Sequence, residues 1–278
     1  MSAGASSGRG AFVWPPGGGD ERTRADEATV DAARAVRSAW GRIERDWLGL
    51  RAVSLRERAV DAGWSPDGAG AYCPRCATSA GQFEADASGC PACREKRLAW
   101  NGAFRVGSYE GVLRDAVMEL KFTAWRRVGR EMGSMLGEAV AAGLRARGVD
   151  PRLAVVVPVP TTFRRRMSRG VHHTLVLARE VAGACGGRVE RGLCRKHRPT
   201  QTSLPRSERA RNMVGAFLAL GPDRLGELAA SGRVFVVVDD VRTTGATMTA
   251  ACRALRSGLP RGAEVYAGVV AVTPLEGR

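Results

Sequence analysis

The segment Arg233–Thr249, RVFVVVDDVRTTGATMT, constrains the fold of this chain more than any other stretch. Val234 to Val238 is a short, unbroken, mostly β-branched run, which suits a parallel strand covered on both faces. Asp239 and Asp240 come where that strand is expected to end. Thr243, Thr244, Gly245, Ala246 and Thr247 read as a tight turn. Met248, Ala251, Cys252 and Leu255 then fall at the spacing of an apolar helix face. In open α/β sheets, ligands bind beyond the carboxyl ends of the strands. A helix N-terminus offers N–H groups and a partial positive charge, so it holds phosphate. Gly245 allows close backbone approach. The two carboxylates are acceptors at the mouth of the same expected pocket, suited to a sugar diol or to the waters of a Mg2+ ion. Phosphate donors beside diol acceptors point to a ribose 5-phosphate site.

A plain strand–turn–helix with a capping threonine explains one Thr but not the paired carboxylates. The chain contains no G-x-x-x-x-G-K-[ST], which disfavours a P-loop nucleotidase. The stretch resembles the phosphoribosyl-pyrophosphate (PRPP) motif of the type I phosphoribosyltransferases: an apolar strand, two acidic residues, an apolar residue, any residue, then T-T-G-x-T.

A second pattern carries different chemistry. Cys73-Pro-Arg-Cys76 and Cys90-Pro-Ala-Cys93 are separated by 13 residues. Two such knuckles can place four thiolates around one Zn2+, with no ligand position left open, so the metal is expected to be structural. A module this small and rich in Gly and Ser needs the metal to fold. A redox C-x-x-C is the alternative. Cys185, Cys194 and Cys252 have no partner spacing and are expected to be inert thiols. Seven cysteines, four of them in metal-type pairs, favour reduced thiols over a disulfide framework.

The chain has 278 residues and a formal charge of +15, enough for one α/β core with a smaller module and a surface that favours polyanions. Only Lys96, Lys121 and Lys196 are lysines. Such Arg bias with abundant Ala and Gly also follows from GC-rich coding, which tempers the charge as a sign of nucleic acid. No apolar run reaches the roughly 18–20 residues needed to span a bilayer, so no membrane insertion is expected. The N-terminus lacks an apolar core of signal-peptide length, and the expected compartment is the cytoplasm.

Four regions follow from composition and pattern. Residues 1–25 read as a disordered N-terminus and 26–70 as a helical extension with a linker at 61–70. In the extension Val36, Trp40, Ile43 and Trp47 share one helix face. Residues 71–97 form the cysteine module, and 98–278 the main α/β domain. There, strands are expected at Ala103–Tyr109, Leu153–Pro160, Arg188–Cys194 and Glu264–Thr273. Helices are expected at Gly111–Phe122, Arg127–Arg147 and His172–Cys185. Their alternation argues for a mostly parallel sheet flanked by helices.

Two basic segments could face the same ligand. Arg164, Arg165 and Arg169 follow the second buried strand and are candidates for pyrophosphate contacts. Residues 198–212 combine flexibility with donors, as a closing lid would, with Gln201, Arg209 and Asn212 as candidate contacts. A solvated loop explains either segment by composition alone. His172 and His173 open a helix, where a surface or capping role is the ordinary expectation.

Taken together the pieces resemble the ComF family of competence-type phosphoribosyltransferase homologues, over about residues 73–274. The resemblance rests on the cysteine pairs, Tyr109-Glu110-Gly111, Leu120-Lys121-Phe122, Pro158-Val159-Pro160 and Arg169-Gly170. It continues through Arg198-Pro199-Thr200-Gln201, Leu204, Arg209, Asn212 and Gly215-Ala216-Phe217, and closes on Asp239 to Thr247. The family usually has Arg-Gly-Phe-Asn-Gln after the basic loop, where this chain has Arg169-Gly170-Val171-His172-His173. About 70 residues precede the cysteine module and lie outside the resemblance. The resemblance implies a type I phosphoribosyltransferase fold, a PRPP-like ligand with Mg2+, structural Zn2+, and an association with DNA uptake and competence proteins. Two functions stay open on the sequence. One is an enzyme that displaces pyrophosphate from PRPP with an unidentified acceptor. The other is a nucleic-acid-associated protein, binding single-stranded DNA, although aromatic residues are only 6% and form no row for stacking bases.

Overall fold

The computed structural model describes residues 53–81, 83–122, 126–161, 172–196, 213 and 215–274. Of the helical extension expected over residues 26–70, the part with Val36, Trp40, Ile43 and Trp47 lies outside them. Helix α1 (Leu55–Asp61) starts from a capping box in which the Glu57 amide donates to Ser54 Oγ and the Ser54 amide to Glu57 Oε2. After the cysteine module come β1 (Gly102–Ser108), α2 (Gly111–Phe122), α3 (Arg126–Arg145), a 3-10 turn (Pro151–Leu153) and β2 (Ala154–Pro158). Then follow α4 (His173–Cys185), β3 (Arg188–Val189), β4 (Leu193–Arg195), β5 (Phe217–Ala219), α5 (Pro222–Ala230), β6 (Val234–Arg242), α6 (Ala246–Ser257) and β7 (Val265–Val272).

Five strands form one parallel sheet in the order β1-β7-β6-β2-β3. The central strand β6 is buried on both sides. Val234, Val236 and Val238 enter one core with α2, α3 and α4. Phe235 and Val237 enter the other with α5 and α6. Each buried valine contributes about 1.5–3 kcal/mol relative to an exposed one, so the β-branched run belongs at the centre. The result is a mostly parallel sheet flanked by helices. Among the described residues no helix is long and apolar enough to cross a membrane.

Two readings from sequence change. The stretch Arg188–Cys194 is not one strand: β3 pairs with β2, whereas β4 turns away to pair antiparallel with β5. Gly192 sits between them, where a Cβ would press against Leu225 Cδ2 at 3.0 Å and Leu255 Cδ1 at 3.4 Å. The central strand also runs further than the valines, through both aspartates to Arg242.

Two helices pack unusually closely. Gly129, Gly133 and Gly137 fall one turn apart along α3 against α4. A Cβ at Gly133 would lie 2.7 Å from that of Glu180, and one at Gly137 2.5 Å from that of Ala184. The contacts advance together along both helices, so α3 and α4 run parallel.

The order of strands fixes the site. Strand β2 continues through α4 to β3 on one side, and β6 continues through α6 to β7 on the other. Their carboxyl ends therefore flank the point where connections diverge, the place where open α/β sheets bind ligands.

Candidate functional site

At that divergence β6 outlasts β2. The last β2–β6 pair is Pro158 with Val238, and the Val159 amide still donates to the Val238 carbonyl. Beyond it the next amide on that edge, Asp240 N–H, donates to Asp239 Oδ1 at 2.9 Å. The Val241 amide then donates to Asp240 Oδ1 at 2.8 Å. The Asp239 carboxylate thus takes up an amide where the β2–β6 ladder opens.

Successive strand residues point to opposite faces, and this separates the two acids. Asp239 lines a cleft of about 230 Å3, solvent-open mouth included, with Arg242, Thr243, Gly245, Ala246, Thr247, Met248 and Val269. Asp240 does not line it. Its Oδ2 lies 3.7 Å from His173 Nε2 at the start of α4, both groups buried. The sequence expectation of two carboxylates at one mouth becomes one carboxylate on each face.

The turn is built by backbone. Gly245 is the residue before α6 and takes φ 79°, a left-handed conformation costly for a residue with a Cβ. The Ala246 amide reaches Thr244 Oγ1 at a long 3.4 Å. The start of a 12-residue helix faces the cleft, so its dipole favours an anion there.

The cysteine module is a separate arrangement. Cys73, Cys76, Cys90 and Cys93 are buried, with their sulfurs within 4.8 Å of one another. The Cys73–Cys93 and Cys76–Cys90 pairs are 3.7 Å apart, and Cys90–Cys93 3.9 Å. A tetrahedral Zn2+ with Zn–S bonds of about 2.3 Å separates its sulfurs by about 3.8 Å. The cluster therefore has the size and donor chemistry to hold a metal such as zinc. The Cys76 thiol is lowered to about 4, first by the hydrogen bond with Cys73 and further by Thr78. The Cys73 thiol is raised in turn by Cys76 and by burial. Gly89 has φ 107°, and a Cβ there would lie 2.6 Å from Cys93 Sγ, so the second knuckle tolerates no side chain at this position.

Arg75, inside the first knuckle, clamps the second: its guanidinium donates to the carbonyls of Ser88, Cys93, Arg94 and Lys96. Arg105 on β1, only 2% exposed, ties the module to the sheet by donating to the Ala77 carbonyl and Ser79 Oγ while pairing with Asp67 at 2.6 Å.

The sequence matches the DNA utilization protein YhgH of Salmonella typhi at 31% identity over 178 residues, 63% of this chain and 74% of that protein. The chain belongs to the YhgH family. YhgH of Escherichia coli (strain K12) is 29% identical over the same length. A scan against family models finds no match. Among solved structures, that of the allosteric regulatory enzyme of purine biosynthesis aligns at 18% identity with a TM-score of 0.34. It covers 55% of this chain and 30% of that one, too slight a likeness to bear on function.

In this YhgH-family chain the described structure thus brings together Asp239, Thr243, Gly245, Ala246 and Thr247, and separately the four cysteines. Thr244 adjoins the turn through the Ala246 amide. Arg164, Arg165, Arg169, Gln201, Arg209 and Asn212 lie outside the described residues. Sequence reasoning passed over Arg242, which lines the cleft, and Thr78, which meets both Cys76 and Arg242. A charged residue closing a run of valines was the available signal for the first. Nothing marked the second, because its partner is 164 residues away.

Proposed function

We propose that this chain binds PRPP, or a closely related ribose 5-phosphate, and that its site is laid out for phosphoribosyl transfer of the ComF type. The observation that carries the reading is the position of the Asp239–Thr247 segment. A carboxylate, hydroxyls and a glycine-led helix start meet in one cleft at the divergence of β2 and β6. The turn at 243–247 and the first amides of α6 would hold the 5-phosphate. Asp239 would accept from a ribose hydroxyl, and Asp240 would act from the opposite face by fixing the strand end and the start of α4. Arg164, Arg165 and Arg169 follow β2 in sequence and would meet the pyrophosphate. Gln201, Arg209 and Asn212 would close from the 198–212 segment. Mg2+, when bound, would offset the charge of the leaving pyrophosphate. Asp239, with oxygen-donor chemistry suited to its hydration waters, is the described residue to help hold it. The cysteine cluster would hold Zn2+ as a structural ion.

A role in DNA utilization is the second reading, favoured by the YhgH relatives and by the formal charge of +15. It is compatible with the first. The test is calorimetric titration of Mg2+–PRPP on the full chain beside a salt-dependent titration of single-stranded DNA. Saturable PRPP binding that Gly245→Val removes supports the site. Unchanged affinity in that variant refutes it. DNA affinity that falls steeply with salt supports the second reading, and no affinity at low salt removes it.

A further inference from the structure

Arg242 ends β6 and faces two ways. On one side it lines the cleft with Asp239, Thr243 and Thr247. Its side chain packs beside Gly245, where an added Cβ would sit 3.7 Å from Arg242 Nη1 and 3.8 Å from Cδ. On the other side Nη2 donates to Thr78 Oγ1 at 2.7 Å. That hydroxyl lies 3.3 Å from Cys76 Sγ and is only 5% exposed. The Arg242 Nε is buried and makes no hydrogen bond, so the Thr78 contact is a principal anchor of the guanidinium. Cys76, Thr78 and Arg242 form a continuous line from the cysteine cluster to the turn.

The line is directional. Cys76 as a metal-held thiolate would accept the Thr78 hydroxyl hydrogen, leaving the oxygen lone pairs for Arg242 Nη2. A metal with four thiolates would be net negative, and the half-buried Arg242 guanidinium, with the buried Arg105 nearby, would offset that charge. Without the metal a module of short Gly- and Ser-containing loops would lose its centre, and the hold of Thr78 on Arg242 would loosen.

We propose that metal occupancy of the cysteine cluster and anion binding at the 243–247 turn are one linked equilibrium, with Arg242 as the positioning residue. The identity of the anion as PRPP rests on the function proposed above; the link between cluster and turn does not. Because such coupling is reciprocal, metal should tighten anion binding and the anion should retain metal, each by about fivefold to a hundredfold.

The test uses the zinc-loaded full chain and its Thr78→Val, Thr78→Ser and Arg242→Met variants. Thr78 contributes no metal ligand, and Ser keeps the hydroxyl that Val removes. Three readouts apply: amide exchange across 242–249, zinc release to a chromogenic chelator, and calorimetric binding of Mg2+–PRPP. In Thr78→Val, exchange over 242–249 should quicken, PRPP should bind about tenfold more weakly, and PRPP should no longer slow zinc release. Thr78→Ser should restore all three. Arg242→Met should release zinc faster although no cysteine is altered. Wild-type exchange over 242–249 in Thr78→Val, or wild-type zinc release from Arg242→Met, overturns the proposal. If the wild type binds no PRPP, the functional reading falls, and exchange and zinc release still decide the coupling.

Discussion

The cysteine cluster and the 243–247 turn are both built on loops, yet they are made in opposite ways. The cluster gathers four side chains from two knuckles within about twenty residues, and the sheet behind it supplies anchors such as Arg105 but no ligand. The turn contributes mainly backbone and a helix start, and it has meaning only because β2 and β6 diverge there. One site is carried by residue type, the other by topology. A side-chain site fails when one residue changes, whereas a backbone site fails when the chain can no longer take its path.

The largest effect is expected where side chains carry the site. Cys90→Ser should lose the metal and unfold the 71–97 module, because structural Zn2+ supplies about 10 kcal/mol or more to a module of this kind. Metal analysis should give about one ion per wild-type chain and none in the variant. A metal-free wild type that stays folded with a Cys73–Cys76 disulfide would show that the four side chains do not build a metal site.

Next come the two acids, which the strand sends to different faces. Asp239→Asn should weaken Mg2+–PRPP binding by about tenfold to a hundredfold, the value of a hydrogen bond to a charged group. Asp240→Asn should weaken it only a few-fold. Both amides keep the Oδ1 acceptor that caps the next backbone N–H, so neither should lower the melting temperature much. Equal losses from both variants, measured by calorimetry, would mean that both carboxylates meet the ligand.

A smaller effect tests the frame beneath the turn. Gly137→Ala would place a methyl group 2.5 Å from the Ala184 Cβ. Such overpacking costs about 1–3 kcal/mol, readable as a lower denaturant midpoint with zinc content unchanged. A wild-type midpoint would show that α3 and α4 separate freely.

The smallest effect concerns thiols outside the cluster. Burial raises Cys185 from 9.0 to about 11 and also raises Cys252. A raised folded-state value stabilises the fold below the unfolded value, and that contribution is lost as pH rises through the folded one. Stability should therefore decline between about pH 9 and 11, and both thiols should resist alkylation in the native protein at pH 8. Rapid native labelling of Cys252 would contradict its burial.

Much of this was legible in sequence for a physical reason. The valine run, the Thr-Gly turn and the cysteine spacing are local patterns, and local patterns survive in one dimension. The split of Arg188–Cys194 between two sheets was hidden because β3 and β4 choose partners from elsewhere in the chain. The opposite orientation of Asp239 and Asp240 was readable in principle. It required knowing that the strand continues past the valines, which its polar residues concealed. The Thr78–Arg242 contact could not be read at all, since nothing local distinguishes that threonine.

The glycine row of α3 has one more consequence. Its three notches recur every four residues, so α4 sits against α3 as a toothed bar sits in a rack, able to reseat only in steps of about 6 Å. His173, at the first position of α4, is thereby held beside Asp240. An insertion or deletion of a single residue inside α4 would break the meshing. Variation in length between β2 and β3 should accordingly fall in the stretch 162–171 that precedes the helix, leaving the distance from His173 to Cys185 constant.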